Sequence, residues 1–271
     1  MIEALLAFLF GLLIGSFLNV CIYRLPRDLS VVKPRSFCPY CEKTISWYDN
    51  IPLVSYFLLR GRCRHCGGSI PWRYPAVELL TGLCIFTLVY SNGLTPDAIK
   101  YCVFAAILIA LLFTDLEERI LPDEFTIGGT VLGFILAWFI PLDPGIVSFF
   151  VEMTGNEADP RVVSLIEAAL GALVPSLTLW AIGALYKVVR GREGLGFGDV
   201  KMIAFMGSFL GLRSTLLTFF VAAMVGSILG LLFIWLTKKD ASTYELPLGS
   251  FLAASGLLVA LWLKNGFAWF I

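Results

Sequence analysis

The chain has 271 residues, of which 58% are hydrophobic and only 15% are charged, and its mean hydropathy is +0.85. A soluble domain averages about 45–50% apolar and about 25% charged residues, so this composition excludes a soluble enzyme. The formal net charge of zero provides no overall field that would attract nucleic acid. Long uncharged stretches are typical of bilayer-spanning helices, and the sequence therefore predicts an all-α polytopic membrane protein.

Eight apolar blocks follow one another along the chain, and each is predicted to form a transmembrane helix. The first block lacks the basic start and the small-residue cleavage site of a signal peptide, so it is interpreted as a retained helix. The block after Asp199 is short and contains Gly207 and Gly211, which leaves open a tilted or half-buried helix and a total of seven spans. The blocks cover residues 2–22, 75–91, 97–114, 124–140, 163–189, 200–212, 214–236 and 248–269.

A polar segment separates the first two blocks and divides the chain into three predicted parts. These are a first transmembrane helix (1–22), a loop domain (23–74) and a transmembrane core (75–271). One alternate set of loops holds sixteen Lys and Arg residues, whereas the opposite set holds four. Because cytoplasmic loops are enriched in basic residues, we expect the loop domain in the cytoplasm and both chain termini outside.

Four cysteines of the loop domain form two Cys-x-x-Cys pairs, Cys38 with Cys41 and Cys63 with Cys66. Two such pairs supply four thiolates in the tetrahedral arrangement that Zn²⁺ prefers. Two disulfides are the alternative, which a reducing compartment disfavours. We therefore predict a structural zinc site with four cysteine ligands in a small loop domain, with His65 outside the ligand set. The other cysteines are interpreted as small core residues: Cys21, Cys84 and Cys102.

Three aspartates lie at the ends of predicted membrane helices, where a charge is expensive. Asp115 ends a helix, so its carboxylate faces the negative end of the helix dipole at a cost of about 0.3–1 kcal/mol. Alternatively, Asp115 is simply a solvated charge at the membrane boundary. Asp199 follows Gly196 and Gly198 at a helix start, where an N-cap is the ordinary role. Those glycines also allow the backbone to pass close to a substrate strand. Asp123 occupies an ordinary, favourable helix-start position.

On the predicted topology, Asp115 and Asp199 both lie at the cytoplasmic boundary of the membrane. Two carboxylates that share a proton can act as general base toward water and general acid toward the leaving amine of a peptide bond. The chain lacks the residues that other peptidase mechanisms require, because it has one His, no His-Glu-x-x-His and no Gly-x-Ser-x-Gly. The inventory therefore favours an intramembrane aspartyl peptidase of the Gly-x-Gly-Asp type.

The chain resembles the bacterial type IV prepilin peptidases, also called prepilin leader peptidase/N-methyltransferases, over nearly its whole length. The resemblance implies that Asp115 and Asp199 are the catalytic pair and that Gly196, Gly198 and Lys201 position the substrate backbone. The motifs that carry the resemblance are GSFLNVCIYRLP at 15–26, the two cysteine pairs, PWRYPAVE at 71–78, Asp115 with LPD at 121–123, and GFGDVK at 196–201.

The resemblance also implies the substrate and a second activity. The substrate is a prepilin or pseudopilin whose short basic leader is cut after a Gly at the cytoplasmic face of the bacterial inner membrane. The new N-terminus is then methylated with S-adenosylmethionine. Glu117, Glu118 and anionic lipid headgroups suit a basic leader electrostatically.

A methyltransferase of the Rossmann type does not fit this chain. The sequence has no strand-Gly-x-Gly-helix unit, and the 52 residues of the polar segment are too few for such a domain. A methyl-transfer site must then be built from the cysteine loop and helix ends. Glu78 is a candidate residue for it, and an interfacial carboxylate near Arg73 is the equal alternative.

Two other functions stay open at this point. One is a peptidase without methyl transfer. The other is a transporter or channel that uses the aspartate pair as a cation site, which the lack of paired inverted repeats disfavours. The sequence does not distinguish a type IV pilus, a type II secretion pseudopilus and a competence pilus as the client system.

Overall fold

The computed structural model of the protein describes residues 1–155, 157–191, 195–237 and 248–264. Regular structure in these ranges consists of helices and two isolated β-bridges, which lie in the cysteine loop. The predicted all-α class is therefore confirmed. The helices are α1 (Ile2–Arg24), α2 (Val54–Leu58), α3 (Arg73–Asn92), α4 (Pro96–Glu118), α5 (Asp123–Phe139), α6 (Ile146–Thr154), α7 (Pro160–Arg190), α8 (Phe197–Thr237) and α9 (Leu248–Lys264), with 3₁₀ turns at Leu25–Arg27 and Trp47–Asn50.

Five helices within the described ranges are long and apolar enough to cross a membrane. Within the described residues all eight predicted blocks fall on helices, the last block being described only to residue 264, but the number of eight spans stays a prediction. Helices α5 and α9 have only 17 residues each, and α8 contains two of the blocks. The five segments are Ile2–Arg27, Arg73–Asn92, Pro96–Glu118, Pro160–Arg190 and Phe197–Gly230.

Helix α8 joins the predicted blocks 200–212 and 214–236 through a break at Gly211. The φ of this residue is 73° and its ψ is 176°, a conformation that glycine adopts far more readily than other residues. The short block after Asp199 is thus one helical segment that meets the next at a kink rather than through a loop.

The described chain divides into two compact units, of which the first is Met1–Thr114 together with residues 261–264. In this unit α1 packs along α3. A Cβ atom at Gly15 would lie 2.6 Å from the Cα atom of Glu78, so the helices approach this closely only because the residue is glycine. The Asn19 amide donates a hydrogen bond of 3.0 Å to the carbonyl oxygen of Tyr74.

The second unit is Asp115–Ala260, in which α5 and α7 pack against α8. It contains α6, which lies between the predicted blocks 124–140 and 163–189, where the sequence predicted no helix. The Glu167 carboxylate of α7 accepts hydrogen bonds from the backbone N–H groups of Ile146 (3.2 Å) and Val147 (2.9 Å). These bonds satisfy donors at the start of α6 that have no partner within the helix.

Candidate active site and metal centre

Asp115 lies near the C-terminal end of α4 and is almost completely buried, with 6% of its surface exposed. Its Oδ2 atom accepts hydrogen bonds from the backbone N–H of Ser250 (2.5 Å) and from the Ser250 hydroxyl (2.6 Å). Ser250 belongs to the first turn of α9, where backbone N–H groups point out of the helix and favour a negative charge. The unfavourable dipole of α4 at Asp115 is thereby offset by the favourable dipole of α9.

Gly249 brings the start of α9 directly against this carboxylate. A Cβ atom at this position would lie 3.0 Å from the Cγ atom of Asp115 and 3.1 Å from its Oδ2 atom. These Cγ and Oδ2 atoms belong to the buried side chain of Asp115, which has little room to move. The missing side chain of Gly249 is therefore a condition for the observed position of Asp115.

Asp199 is half-buried in the first turn of α8, within the same unit as Asp115. The two carboxylates are close enough to interact electrostatically. Gly196 adjoins Asp199, since a Cβ atom there would lie 3.4 Å from its Oδ2 atom. A Cβ atom at Gly198 would lie 3.2 Å from the Cδ1 atom of Leu121. Gly194, which the sequence also places in this glycine motif, lies outside the described residues.

Lys201 forms an ion pair with Asp123 and thereby joins the second turn of α8 to the first turn of α5. Its ammonium group also lies 5.6 Å from the ring centroid of Phe197. These contacts connect the two helix starts that flank Asp199. A role of Lys201 in positioning substrate stays a prediction.

The four paired cysteines come together in the loop of the first unit. One possible ligand atom from each of Cys38, Cys41, Cys63 and Cys66 lies within 4.8 Å of all the others, and the Sγ atoms of Cys38 and Cys66 are 3.8 Å apart. Each pair lies within a short turn closed by a β-bridge, Phe37–Thr44 or Arg62–Ser69. Backbone N–H groups of Cys66 and His65 lower the pKa of the Cys63 thiol to about 7. The cluster can therefore hold a metal ion.

Glu78, the predicted methyltransferase candidate, is buried in the first unit at the start of α3. Its Oε2 atom accepts a hydrogen bond of 2.8 Å from the backbone N–H of Leu53, and its carboxylate also bonds the side chain of Ser16. Glu78 thus connects α1 to the cysteine loop. Its part in methyl transfer stays a prediction.

Comparison with known proteins places the two parts of the chain in one family. Residues 9–92 match the bacterial peptidase A24 N-terminal domain, and residues 102–231 match the type IV leader peptidase family. A prepilin leader peptidase/N-methyltransferase of Aeromonas salmonicida is 33% identical, over 98% of this chain and 93% of that protein. The chain belongs to the type IV leader peptidase family.

Further members of the type IV leader peptidase family show the same likeness. The prepilin leader peptidase/N-methyltransferase of Pseudomonas aeruginosa is 33% identical, over 94% of this chain and 88% of its own length. That of Myxococcus xanthus is 38% identical over 89% of this chain, which spans 66% of that protein's length. No solved structure matches the chain. Together with the five apolar helices, family membership indicates a multi-pass inner-membrane protein.

Proposed function

We propose that this protein removes the basic leader peptide from prepilins or pseudopilins, using Asp115 and Asp199 as a catalytic pair. The observation that carries the proposal is the placement of these two carboxylates, which come from separate helix ends, in one compact unit and within electrostatic range of each other. Two acidic side chains close together at the ends of membrane helices are costly, which makes them candidates for a functional site. Membership of the type IV leader peptidase family supplies the substrate class.

The geometry favours different catalytic roles for the two aspartates. Two donors from Ser250 engage Oδ2 of Asp115, which suits a carboxylate that accepts hydrogen bonds in its ionised form. Asp115 then takes a proton from water as the water oxygen bonds to the scissile carbonyl carbon. Asp199 gives its proton to the carbonyl oxygen. When the intermediate collapses, the C–N bond breaks, the amine takes the proton from Asp115, and the proton on the oxygen returns to Asp199.

The proposal also includes methylation of the new N-terminal amine. S-adenosylmethionine supplies a methyl group on a sulfonium, and the chain's residues must bind that donor and orient the amine toward it. Coexpression with a candidate prepilin, followed by intact-mass analysis of the product, tests both activities. Loss of the leader together with the added mass of one methyl group is expected. Cleavage without the added mass would leave a peptidase alone.

The cysteine cluster is proposed to hold one structural Zn²⁺. Four sulfur atoms at about 2.3 Å from zinc in a tetrahedron lie about 3.8 Å apart, which agrees with the 3.8 Å between Cys38 and Cys66. Four thiolates close the coordination shell, so the zinc stabilises the loop and leaves no position for substrate. The loop contacts α3 through the hydrogen bond from Leu53 to Glu78. Folding of the loop therefore affects the packing of the first unit.

We expect the double substitution Cys38→Ser with Cys63→Ser to reduce bound zinc from about one per chain to a small fraction, because two serines replace half of the ligands. Metal analysis of the purified protein measures this. His65→Ala is the matched control and should keep its zinc. Cleavage should survive the double substitution better than methylation, since neither proposed catalytic aspartate lies in the loop. Unchanged zinc in the double variant would contradict the ligand assignment.

The proposed orientation places the active site at the cytoplasmic face, with anionic lipid headgroups nearby. We expect a cysteine introduced at Leu195 to react with a membrane-impermeant thiol reagent only when the cytoplasmic face is accessible. A cysteine introduced at Glu157 should react from the outside. Both positions lie in loops that flank α7, and the unsubstituted protein provides the background labelling. The reverse labelling pattern would overturn the orientation inferred from basic residues.

A further inference from the structure

An open groove in the first unit separates residues 13–24 of α1 from residues 31–50 of the cysteine loop. Its lining is mostly apolar and includes two arginines, Arg24 and Arg35. Among the described side chains that line the groove, none is acidic. A ligand that fits this surface therefore combines an apolar part with a negative charge.

The α1 side of the groove is an apolar stripe along the helix axis. Leu13, Phe17 and Val20 are spaced four and three residues apart, which places them on one side of the helix. Leu13 and Phe17 are half exposed on a helix that is long and apolar enough to cross a membrane. At a rise of about 1.5 Å per residue, the stripe from Leu13 to Arg24 measures about 16 Å. This is roughly half of a hydrocarbon core of about 30 Å, so the stripe matches the depth of one leaflet.

The loop side of the groove is held in place by Arg24. Its guanidinium donates hydrogen bonds of 2.8 Å to the carbonyl oxygens of Ser30 and Pro34. Arg24 is buried, so these bonds are shielded from water. They hold Val31 and Val32, which line the groove, beside the end of α1. The charge of Arg24 is used by the fold itself, whereas the groove is preorganised by it.

Arg35 supplies the groove with an exposed positive charge. Ser36 and Asn50 add a hydroxyl and an amide to the lining. The polar segment 23–74 as a whole has nine Lys and Arg residues against three Asp and Glu residues. Such a surface attracts anions and repels a basic leader peptide. The charge therefore favours an anionic lipid over the leader as the occupant of the groove.

We propose that this groove binds a phospholipid with an anionic headgroup. One acyl chain lies along Leu13, Phe17 and Val20, and the phosphate accepts charge-assisted hydrogen bonds from Arg35. An open groove suits this ligand, because the second acyl chain can stay in the surrounding bilayer. The bound lipid connects the cysteine loop to the leaflet at the end of α1. This inference depends on the membrane location of the chain and is independent of both proposed activities.

The test is lipid binding to the full-length protein in detergent, after copurified lipid has been removed. Native mass spectrometry measures the affinity for the first bound molecule of phosphatidylglycerol and of phosphatidylcholine with the same acyl chains. We expect phosphatidylglycerol to bind about fivefold more tightly, which is the contribution of one basic side chain near an anionic lipid. Equal affinity of the two lipids for the unsubstituted protein would overturn the proposal.

Variants of Arg35 test the position of the headgroup. Arg35→Ala should lose the preference for phosphatidylglycerol, whereas Arg35→Lys should keep most of it because the charge remains. Arg62→Ala is the matched control, since Arg62 is an exposed arginine of the same loop that does not line the groove. Zinc content and the size-exclusion profile report whether each variant is folded. The same preference in Arg35→Ala and Arg62→Ala would contradict the proposed headgroup site.

A second pair of variants tests the position of the acyl chain. Phe17→Ala should weaken the binding of both lipids about tenfold, because apolar contact with the chain is lost. Phe220→Ala is the control, since Phe220 is similarly exposed (60% against 54%) on α8 and does not line the groove. It should bind both lipids like the unsubstituted protein. If Phe17→Ala instead weakens prepilin binding and leaves lipid binding unchanged, the groove belongs to the substrate and the proposal is wrong.

Discussion

Asp115→Asn and Asp199→Asn should each abolish prepilin cleavage while the protein remains folded in the membrane. An amide keeps the shape of the carboxyl group but cannot exchange a proton, so either substitution removes one half of the acid–base pair. Loss of a positioned general acid or base costs about 10²–10⁴-fold, and members of a unit cannot replace one another. The measurement is the fraction of mature pilin after coexpression, determined by intact mass.

Asp123→Asn is the matched control, because it is also an aspartate in the first turn of a helix of the second unit. It loses the charge that pairs with Lys201, but an amide still accepts a hydrogen bond there. We expect substantial cleavage to remain. Wild-type cleavage by Asp199→Asn together with an inactive Asp123→Asn would show that Asp199 is only an N-cap. The pair would then have to be reassigned to Asp115 and Asp123.

The positions of the long helices could be predicted because membrane insertion depends on local composition. Apolar blocks such as 75–91 and 97–114 fall on α3 and α4 to within a few residues, since a bilayer requires each span to satisfy its own backbone groups. The cysteine cluster could be predicted equally well, because the spacing of two Cys-x-x-Cys pairs is typical of a metal site. Both predictions depend on information that lies within short segments.

The features that sequence reasoning missed depend on contacts between distant residues. Helix α6 is capped by Glu167 of the next helix, and Ser250 reaches Asp115 across 135 positions of the chain. In the sequence, Gly249 and Ser250 are only two small residues inside the start of an apolar block. Their proximity to an aspartate follows from the packing of α9 and has no local signature. Likewise, Lys201 was assigned to substrate positioning through the resemblance, whereas its contact with Asp123 required the structure.

Gly249→Ala should reduce the rate of prepilin cleavage by about 100-fold, although it adds only one methyl group. The new Cβ atom would lie 3.0 Å from Cγ of Asp115, closer than such contacts normally are, so the buried carboxylate or the start of α9 has to shift. A displacement on the order of 1 Å in a catalytic group can cost about 10²-fold in rate. Single-turnover cleavage of purified prepilin in detergent measures the effect.

Gly128→Ala is the control, because this helical glycine of α5 has open space where its Cβ atom would be. It should cleave at the normal rate and gain a little stability, since alanine favours a helix over glycine by about 1 kcal/mol. Ser250→Ala completes the comparison. It removes the hydroxyl donor to Oδ2 of Asp115 but keeps the backbone N–H, so it should slow cleavage less than Gly249→Ala does. Normal cleavage by Gly249→Ala would mean that the contact between α9 and Asp115 does not position the catalytic carboxylate. The Ser250 hydrogen bonds would then stabilise the buried side chain without contributing to the reaction.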